Sequence, residues 1–290
     1  MNNLLPTPYQ EFIHKSRYAR WVEDEGRREN YDETVDRYIG FMSDHLKDKF
    51  DYVLPEADIE DLREAILNLE IMPSMRAMMT AGPALARDNI CGYNCSYIPV
   101  DSPRAFDECM YILMCGTGVG FSVERENVDK LPIVSDNFSK SDTIINVADS
   151  KPGWARAYRE LVALLYAGQI PQYNVDNVRP AGSRLKVMGG RASGPKPLVD
   201  LFNFTIDTFK KAKGRRLYPI ECHDIMCKVG QVVVVGGVRR SALISLSNLT
   251  DDQMAHAKSG EWWDEPDRGI YRNGQRNMAN NSVAYENKPE

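Results

Sequence analysis

The sequence predicts an α/β protein with parallel strands, entered through a helical region that fills its first eighty residues. Three observations lead there. Apolar residues recur at helical spacing between residues 9 and 80. After Ala81-Gly82-Pro83 the pattern changes to short apolar runs, glycine turns and intervening helices, the alternation expected of strands joined by helical crossovers. The chain has 290 residues, 43% hydrophobic and 27% charged, so it can bury a sizeable core and is neither fibrous nor disordered.

The elements follow in order. Tyr31-Asp32-Glu33-Thr34 leads into Val35, Tyr38, Ile39, Met42 and Leu46 on one helical face, and residues 58–62 open a second amphipathic stretch that runs to Leu69. The mixed charges of residues 20–29 read as a solvated face. Residues 93–100 are strand-like, 104–114 helical, 120–123 a short strand, and 231–235 a strand followed by Gly236-Gly237. Residues 126–180 interrupt this alternation with Pro- and Asp-rich loops around one helix, 153–167, whose Trp154, Tyr158, Leu161, Leu164 and Leu165 form a face. We read them as an insertion within a second region, 81–290, that follows the helical region 1–80.

Charge and composition exclude several classes. The net charge of -5 gives no general electrostatic grip on nucleic acid or anionic lipid, so any anion requires a local site. The longest apolar run, residues 232–235, is strand-sized and far short of a membrane span. Met1-Asn2-Asn3-Leu4-Leu5-Pro6 lacks the basic and apolar succession of a secretion signal. Six cysteines, at 91, 95, 109, 115, 222 and 227, are therefore expected in a reducing cytoplasm, free for chemistry or packing.

Chemistry-bearing segments are few. Cys115-Gly116-Thr117-Gly118-Val119-Gly120 places glycines at alternate positions beside a strand, where a ligand can approach the backbone; it matches neither the NTPase phosphate loop nor G-x-G-x-x-G. Gly236, Gly237, Val238, Arg239, Arg240 and Ser241 join mobile glycines to two bidentate donors. Residues 179–186 and 189–194 add basic and glycine residues that could serve a phosphate or form a solvated loop. The cysteine spacings are not those of structural zinc, and no metal site is expected. Cys222 and Cys227 read as packing residues, whereas Cys95, between Asn94 and Ser96 at a strand start, is the candidate redox thiol. His14, His45, His223 and His256 form no base–nucleophile pattern, and His223 reads as a satisfied core or capping histidine.

Six segments occur together in this order: Met72-Pro-Ser-Met-Arg76, Tyr93-Asn-Cys-Ser-Tyr-Ile98, Asp101-Ser-Pro-Arg-Ala-Phe106, Met114-Cys-Gly-Thr-Gly-Val-Gly-Phe121, Gly189-Gly-Arg-Ala-Ser-Gly-Pro195 and Val235-Gly-Gly-Val-Arg-Arg-Ser-Ala242. In them the chain resembles ribonucleotide reductase large subunits, and most nearly the adenosylcobalamin-dependent class II enzymes of the ribonucleoside-triphosphate reductase branch. The resemblance implies a ten-stranded α/β barrel preceded by a helical region, present here in its first part. It implies thiyl-radical replacement of the ribose 2'-hydroxyl by hydrogen. Cys95 would be the first of the reducing cysteine pair; Ser74, Asn94 and Gly118 would contact substrate. Asp101 and Ser102 would hold the effector ribose, with Arg179 and Lys186 near its phosphates, and Gly236 to Ser241 would form the loop that carries effector identity to the substrate site. The insertion resembles the one that completes the effector site in monomeric class II enzymes.

The implied partners are a ribonucleotide substrate, a dNTP or ATP effector, adenosylcobalamin and a thiol reductant such as thioredoxin. The family's radical cysteine, its neighbouring Asn and Glu, the second cysteine of the pair and the shuttle cysteines have no match, since nothing after Cys227 is a cysteine. An N-terminal portion of a reductase is therefore expected, inactive alone and needing a complementing C-terminal chain. The alternatives are a non-catalytic nucleotide-binding remnant and a class I large-subunit fragment.

Overall fold

The computed structural model describes residues 5–183, 191–235, 242–283 and 285. The chain forms two compact units, Met1–Asn94 and Cys95–Glu290.

In the first unit, Thr7 caps α1 (Pro8–Ile13), which passes into one π-helical turn, His14–Tyr18, closed by the Ala19 N–H on the His14 carbonyl at 3.0 Å. A short hairpin of β1 (Trp21–Val22) and β2 (Arg27–Arg28) precedes α2 (Tyr31–Phe50). Asn30 and Glu33 form a capping box at the start of α2, satisfying donors that a helix N-terminus leaves open. α3 (Glu56–Leu67), α4 (Met75–Thr80) and α5 (Pro83–Arg87) follow. Val35 and Ile39 bury the predicted face of α2 against Ile66 and Met78.

The charges of residues 20–29 lie for the most part on a solvated face, with Glu23, Asp24, Glu25 and Arg28 exposed, and Glu29 is the exception. Glu29 is 7% exposed, and its carboxylate accepts from Arg37 Nε at 2.7 Å and Nη2 at 2.9 Å, from the Thr34 hydroxyl at 2.9 Å and from the Arg20 backbone N–H at 3.0 Å. Arg37 also donates to the carbonyls of Met78 and Ala81, tying α2 to the end of α4. Burial pushes Glu29 toward its neutral form, but the hydrogen bonds from Arg37, Arg20 and Thr34 outweigh it and hold the carboxyl below its usual range. Local charge density could not reveal this, because the main partner lies eight residues downstream.

The second unit is built on a four-stranded, wholly parallel sheet of β3 (Cys95–Pro99), β4 (Gly118–Ser122), β7 (Leu243–Ser247) and β8 (Ala279–Val283), in that spatial order. Between them run α6 (Arg104–Met114), α7 (Arg125–Val128), β5 (Ser139–Asn146), α8 (Lys151–Tyr166), β6 (Gln169–Asn174), α9 (Lys196–Lys211), α10 (Pro219–Val235) and α11 (Asp252–Ala255). The α/β class with parallel strands is as the sequence predicts. Region 126–180 holds more than loops and one helix, since β5 and β6 pair in parallel on either side of α8.

Residues 231–235 are the last turn of α10 rather than a strand. A short run of valines fits a strand and a buried helix equally, and here Cys222, Ile225, Met226, Val229, Val232 and Val233 of α10 are all buried. A helix that is apolar nearly all round belongs at the centre of a core, where packing overrides propensity. The strand lies further on, at Leu243–Ser247.

One core unites α6, α8, α9, α10 and the covered face of the sheet. Tyr158 stacks on Phe202 at 6.1 Å, and its hydroxyl shares a 3.0 Å hydrogen bond with Thr205. Asp107, buried on α6, accepts from Arg159 of α8 at 2.9 Å and from Arg104 at 3.2 Å, so the carboxylate enters the core paired.

Arg37→Met should destabilise the chain by roughly 3–5 kcal/mol at pH 7, because it leaves a buried carboxylate unpaired. Since pairing depresses Glu29, its contribution is full above the unfolded carboxylate pKa and fades as pH falls through the lower folded value. Urea unfolding of wild type and variant should therefore converge toward pH 3; an equal gap at pH 3 and pH 7 would remove the Glu29 charge from this account.

Candidate functional site

In a parallel sheet, residues in register point to the same side. Ile98, Val119, Phe121, Leu243 and Ser245 face the helices and are buried. The opposite face carries Cys95 and Tyr97 of β3, Gly118 and Gly120 of β4, Ile244 of β7 and Asn280 of β8. Cys95 is exposed and pairs in register with Gly118; Tyr97 is 56% exposed and pairs with Gly120, which in turn pairs with Ile244, 47% exposed.

Gly118, itself buried, and the partly exposed Gly120 therefore turn to this face, while Val119 between them and Phe121 beyond turn to the core. Gly116, with φ 84°, makes the turn from α6 that side chains rarely allow. A Cβ on Gly120 would lie 3.6 Å from the Ser96 carbonyl oxygen and 4.0 Å from the Tyr97 ring, ordinary contact distances. Gly120 thus floors a trough between Tyr97 and Ile244, with the Cys95 thiol one residue pair away. Such a face can seat a flat, polar ring against main chain beside an accessible thiol. Alternation of polar and apolar residues did not single out Tyr97, Ile244 or Asn280; the glycine row on β4 is the signal that points to the face they share.

Beneath the sheet lies a second cluster. His223 of α10 is fully buried, with Nδ1 2.9 Å from the Ser245 hydroxyl and Nε2 3.5 Å from Cys227 Sγ. Burial, with Arg276 and Lys258 adding to it, pushes His223 down to about 3, so it is neutral at pH 7. It is the satisfied core histidine the sequence predicts, and it bolts α10 to β7. Burial likewise raises the Cys109, Cys222 and Cys227 thiols.

The remaining candidates are dispersed. Ser74 caps α4, its hydroxyl accepting from the Ala77 N–H at 3.3 Å, and lies with exposed Asn94 in the first unit. Asp101 and Ser102 sit in the turn between β3 and α6, half-buried. Arg179 donates from Nε to Asp149 at 2.6 Å and makes no ion pair with Asp101. Lys186 and the segment Gly236, Gly237, Val238, Arg239, Arg240 and Ser241 lie outside the described residues. Among the described residues no group of three His, Cys, Asp or Glu side chains is placed to hold a metal ion, and no helix is long and apolar enough to cross a membrane.

Of the six cysteines five are buried. Titration of the native chain with a chromogenic disulfide should give a single fast thiol, absent from Cys95→Ser, and all six only in denaturant. Two or more fast thiols, or a fast thiol surviving in the variant, would overturn the assignment of Cys95 as the accessible sulfur.

No family model matches the sequence. Among curated proteins, the adenosylcobalamin-dependent ribonucleoside-triphosphate reductase of Lactobacillus helveticus is 26% identical over 95% of this chain and 45% of its own length. The enzyme of the same name from Lactobacillus leichmannii is 28% identical over 86% of this chain and 42% of its own. The chain thus spans less than half the length of these relatives. Among solved structures, a B-12 dependent (class II) ribonucleotide reductase matches with a TM-score of 0.79 and 24% identity, covering 94% of this chain and 45% of that one. In sequence and in fold, this chain resembles the class II, adenosylcobalamin-dependent ribonucleotide reductases.

Proposed function

We propose that this chain is the N-terminal portion of an adenosylcobalamin-dependent ribonucleotide reductase and supplies one wall of its active site, the first strands of a ten-stranded barrel. The observation that carries this reading is the exposed Cys95 thiol on an open parallel-sheet face, in register with Gly118 and next to the glycine-floored trough. A ribose resting there would present C2' to a thiol without a side chain of β4 intervening.

In this reading Cys95 acts as a reductant. Its thiol and that of a second cysteine give up two hydrogens, the 2'-hydroxyl leaves as water, C2' gains hydrogen and the two sulfurs join in a disulfide. A thiol reductant such as thioredoxin then restores both thiols. The other five cysteines of this chain are buried, so the second cysteine, like the radical cysteine, belongs to the remaining length of the reductase, in the same polypeptide or a complementing chain. Bound adenosylcobalamin would supply the initiating radical. Cys95, Tyr97, Gly120 and Ile244 form no set that would hold a corrin, and no residue here is assigned to it.

Asp101 and Ser102 would take the effector ribose, Arg179 and Lys186 its phosphates, and residues 236–241 would relay effector identity, a coupling between two sites. Arg179 is already oriented by Asp149, and its other N–H groups remain for a phosphate. A reducing cytoplasm suits a thiol that must be regenerated each turnover.

The test is reconstitution. The chain joined to or mixed with the remainder of a class II reductase, with adenosylcobalamin, dithiol and ribonucleotide, should form deoxyribonucleotide. Cys95→Ser should abolish turnover and leave dNTP binding intact; turnover by that variant would end the role of Cys95. dNTP binding without product from any complemented assembly would favour a non-catalytic nucleotide-binding module, and product without cobalamin but with a metal-containing partner would favour class I. Gly120→Ala should fold with stability changed by less than about 1 kcal/mol, given its ordinary contacts, yet raise KM for the ribonucleotide.

A further inference from the structure

The first unit contains a cavity of about 420 Å3 that the reductase reading does not use. It lies where α1 and its π turn meet the start of α2 and the segment leading into α4. Its walls include Tyr31, Leu69, Met72, Met75 and Met78, with His14 among them. The volume is in the range of small-molecule sites, and mostly apolar walls with a few placed polar groups, here buried His14 and Thr34 and exposed Gln10, are the usual pattern.

The buried polar pair of this lining, His14 and Thr34, is fixed. His14 is 5% exposed and Thr34 fully buried. The Thr34 hydroxyl spends its only proton on Glu29 Oε2, at 2.9 Å, and a carboxylate can only accept. Thr34 Oγ1, 2.9 Å from His14 Nε2, must therefore accept from it, which places the imidazole proton on Nε2 and leaves Nδ1 as a lone pair. Nδ1 has no hydrogen-bond partner among the described residues, and it is not among the buried atoms closed off from any partner. Burial, reinforced by Lys15, holds His14 below its ordinary pKa, so Nδ1 remains an acceptor at neutral pH.

The backbone points the same way. His14 begins the π turn, and single π turns are rare departures often found where a side chain is presented to a ligand. Among the described residues nothing charged is offered to an occupant: Glu29 is matched by Arg37, and Lys15 Nζ is spent on the Glu29 carbonyl and Asn30 Oδ1. A charged molecule would lose its hydration without compensation. Three methionine side chains and a tyrosine ring suit the face of an aromatic molecule.

We propose that this cavity binds a small uncharged aromatic molecule bearing one hydrogen-bond donor, which His14 Nδ1 receives.

The test uses the 290-residue chain and three probes of one shape: p-cresol, toluene, which lacks the oxygen, and 4-methylanisole, whose oxygen cannot donate. Calorimetry or ligand-observed NMR should give saturable p-cresol binding about tenfold tighter than either analogue, the worth of one hydrogen bond. His14→Phe, which keeps the ring and removes the acceptor, should bring p-cresol to the level of toluene. Met75→Trp, at a partly exposed wall, should weaken all three. Equal affinity of the three probes for wild type would overturn the proposal even if His14→Phe failed to fold, as would a p-cresol preference that survives in that variant or binding unaffected by Met75→Trp.

Discussion

The pairing of β4 between β3 and β7 is the constraint on which the second unit depends. Because all three strands run parallel and in register, the choice of which residues of β4 turn inward decides what both faces of the sheet can be. Val119 and Phe121 turn in and are buried with Ile98 and Leu243. Gly118 and Gly120 must then turn outward, beside Cys95 and Tyr97. A slip of one residue would turn two glycines toward the core and a phenylalanine away from it, so the hydrophobic core itself holds the thiol and the bare backbone together.

Polar groups reinforce this arrangement from beneath. The His223–Ser245 bond fixes β7 against α10, and the Asp224–Arg276 pair, at 2.6 and 2.7 Å, fixes the turn Gly274–Met278 that leads into β8. Asp107 clasps α6 to α8 in the same manner. In the first unit, Glu29 plays the equivalent part for α2 and α4. Each is a buried or largely buried polar group with its partners in place, the condition under which such groups specify an arrangement instead of weakening it.

Much of this was legible in the sequence, and the failures have physical causes. The helix Arg104–Met114 and the strands β3 and β4 follow from periodicity and glycine placement, and the burial of Cys222, Cys227 and His223 follows from their apolar neighbours. The valines of 231–235 misled because a buried helix and a buried strand have the same composition over five residues, and only tertiary packing separates them. Within residues 20–29 the solvated face holds except at Glu29, because a charge run is read against its immediate neighbours, whereas Glu29 finds its partners on α2. At the candidate site, Cys95 and Gly118 were named from motifs alone. Their register, and the part Tyr97 and Ile244 play beside them, emerge only when strands far apart in sequence are laid side by side.

The bare stretch of β4 bears on how this protein can change over time. A binding surface made of side chains drifts as those side chains are exchanged, but a surface made of main chain offers mutation nothing to exchange except the glycines themselves. The sheet face around Gly118 and Gly120 can therefore keep its shape while the residues behind it are replaced, provided their bulk is conserved. Relatives that share only about a quarter of their residues with this chain could retain the same sheet face, written in peptide groups common to every sequence.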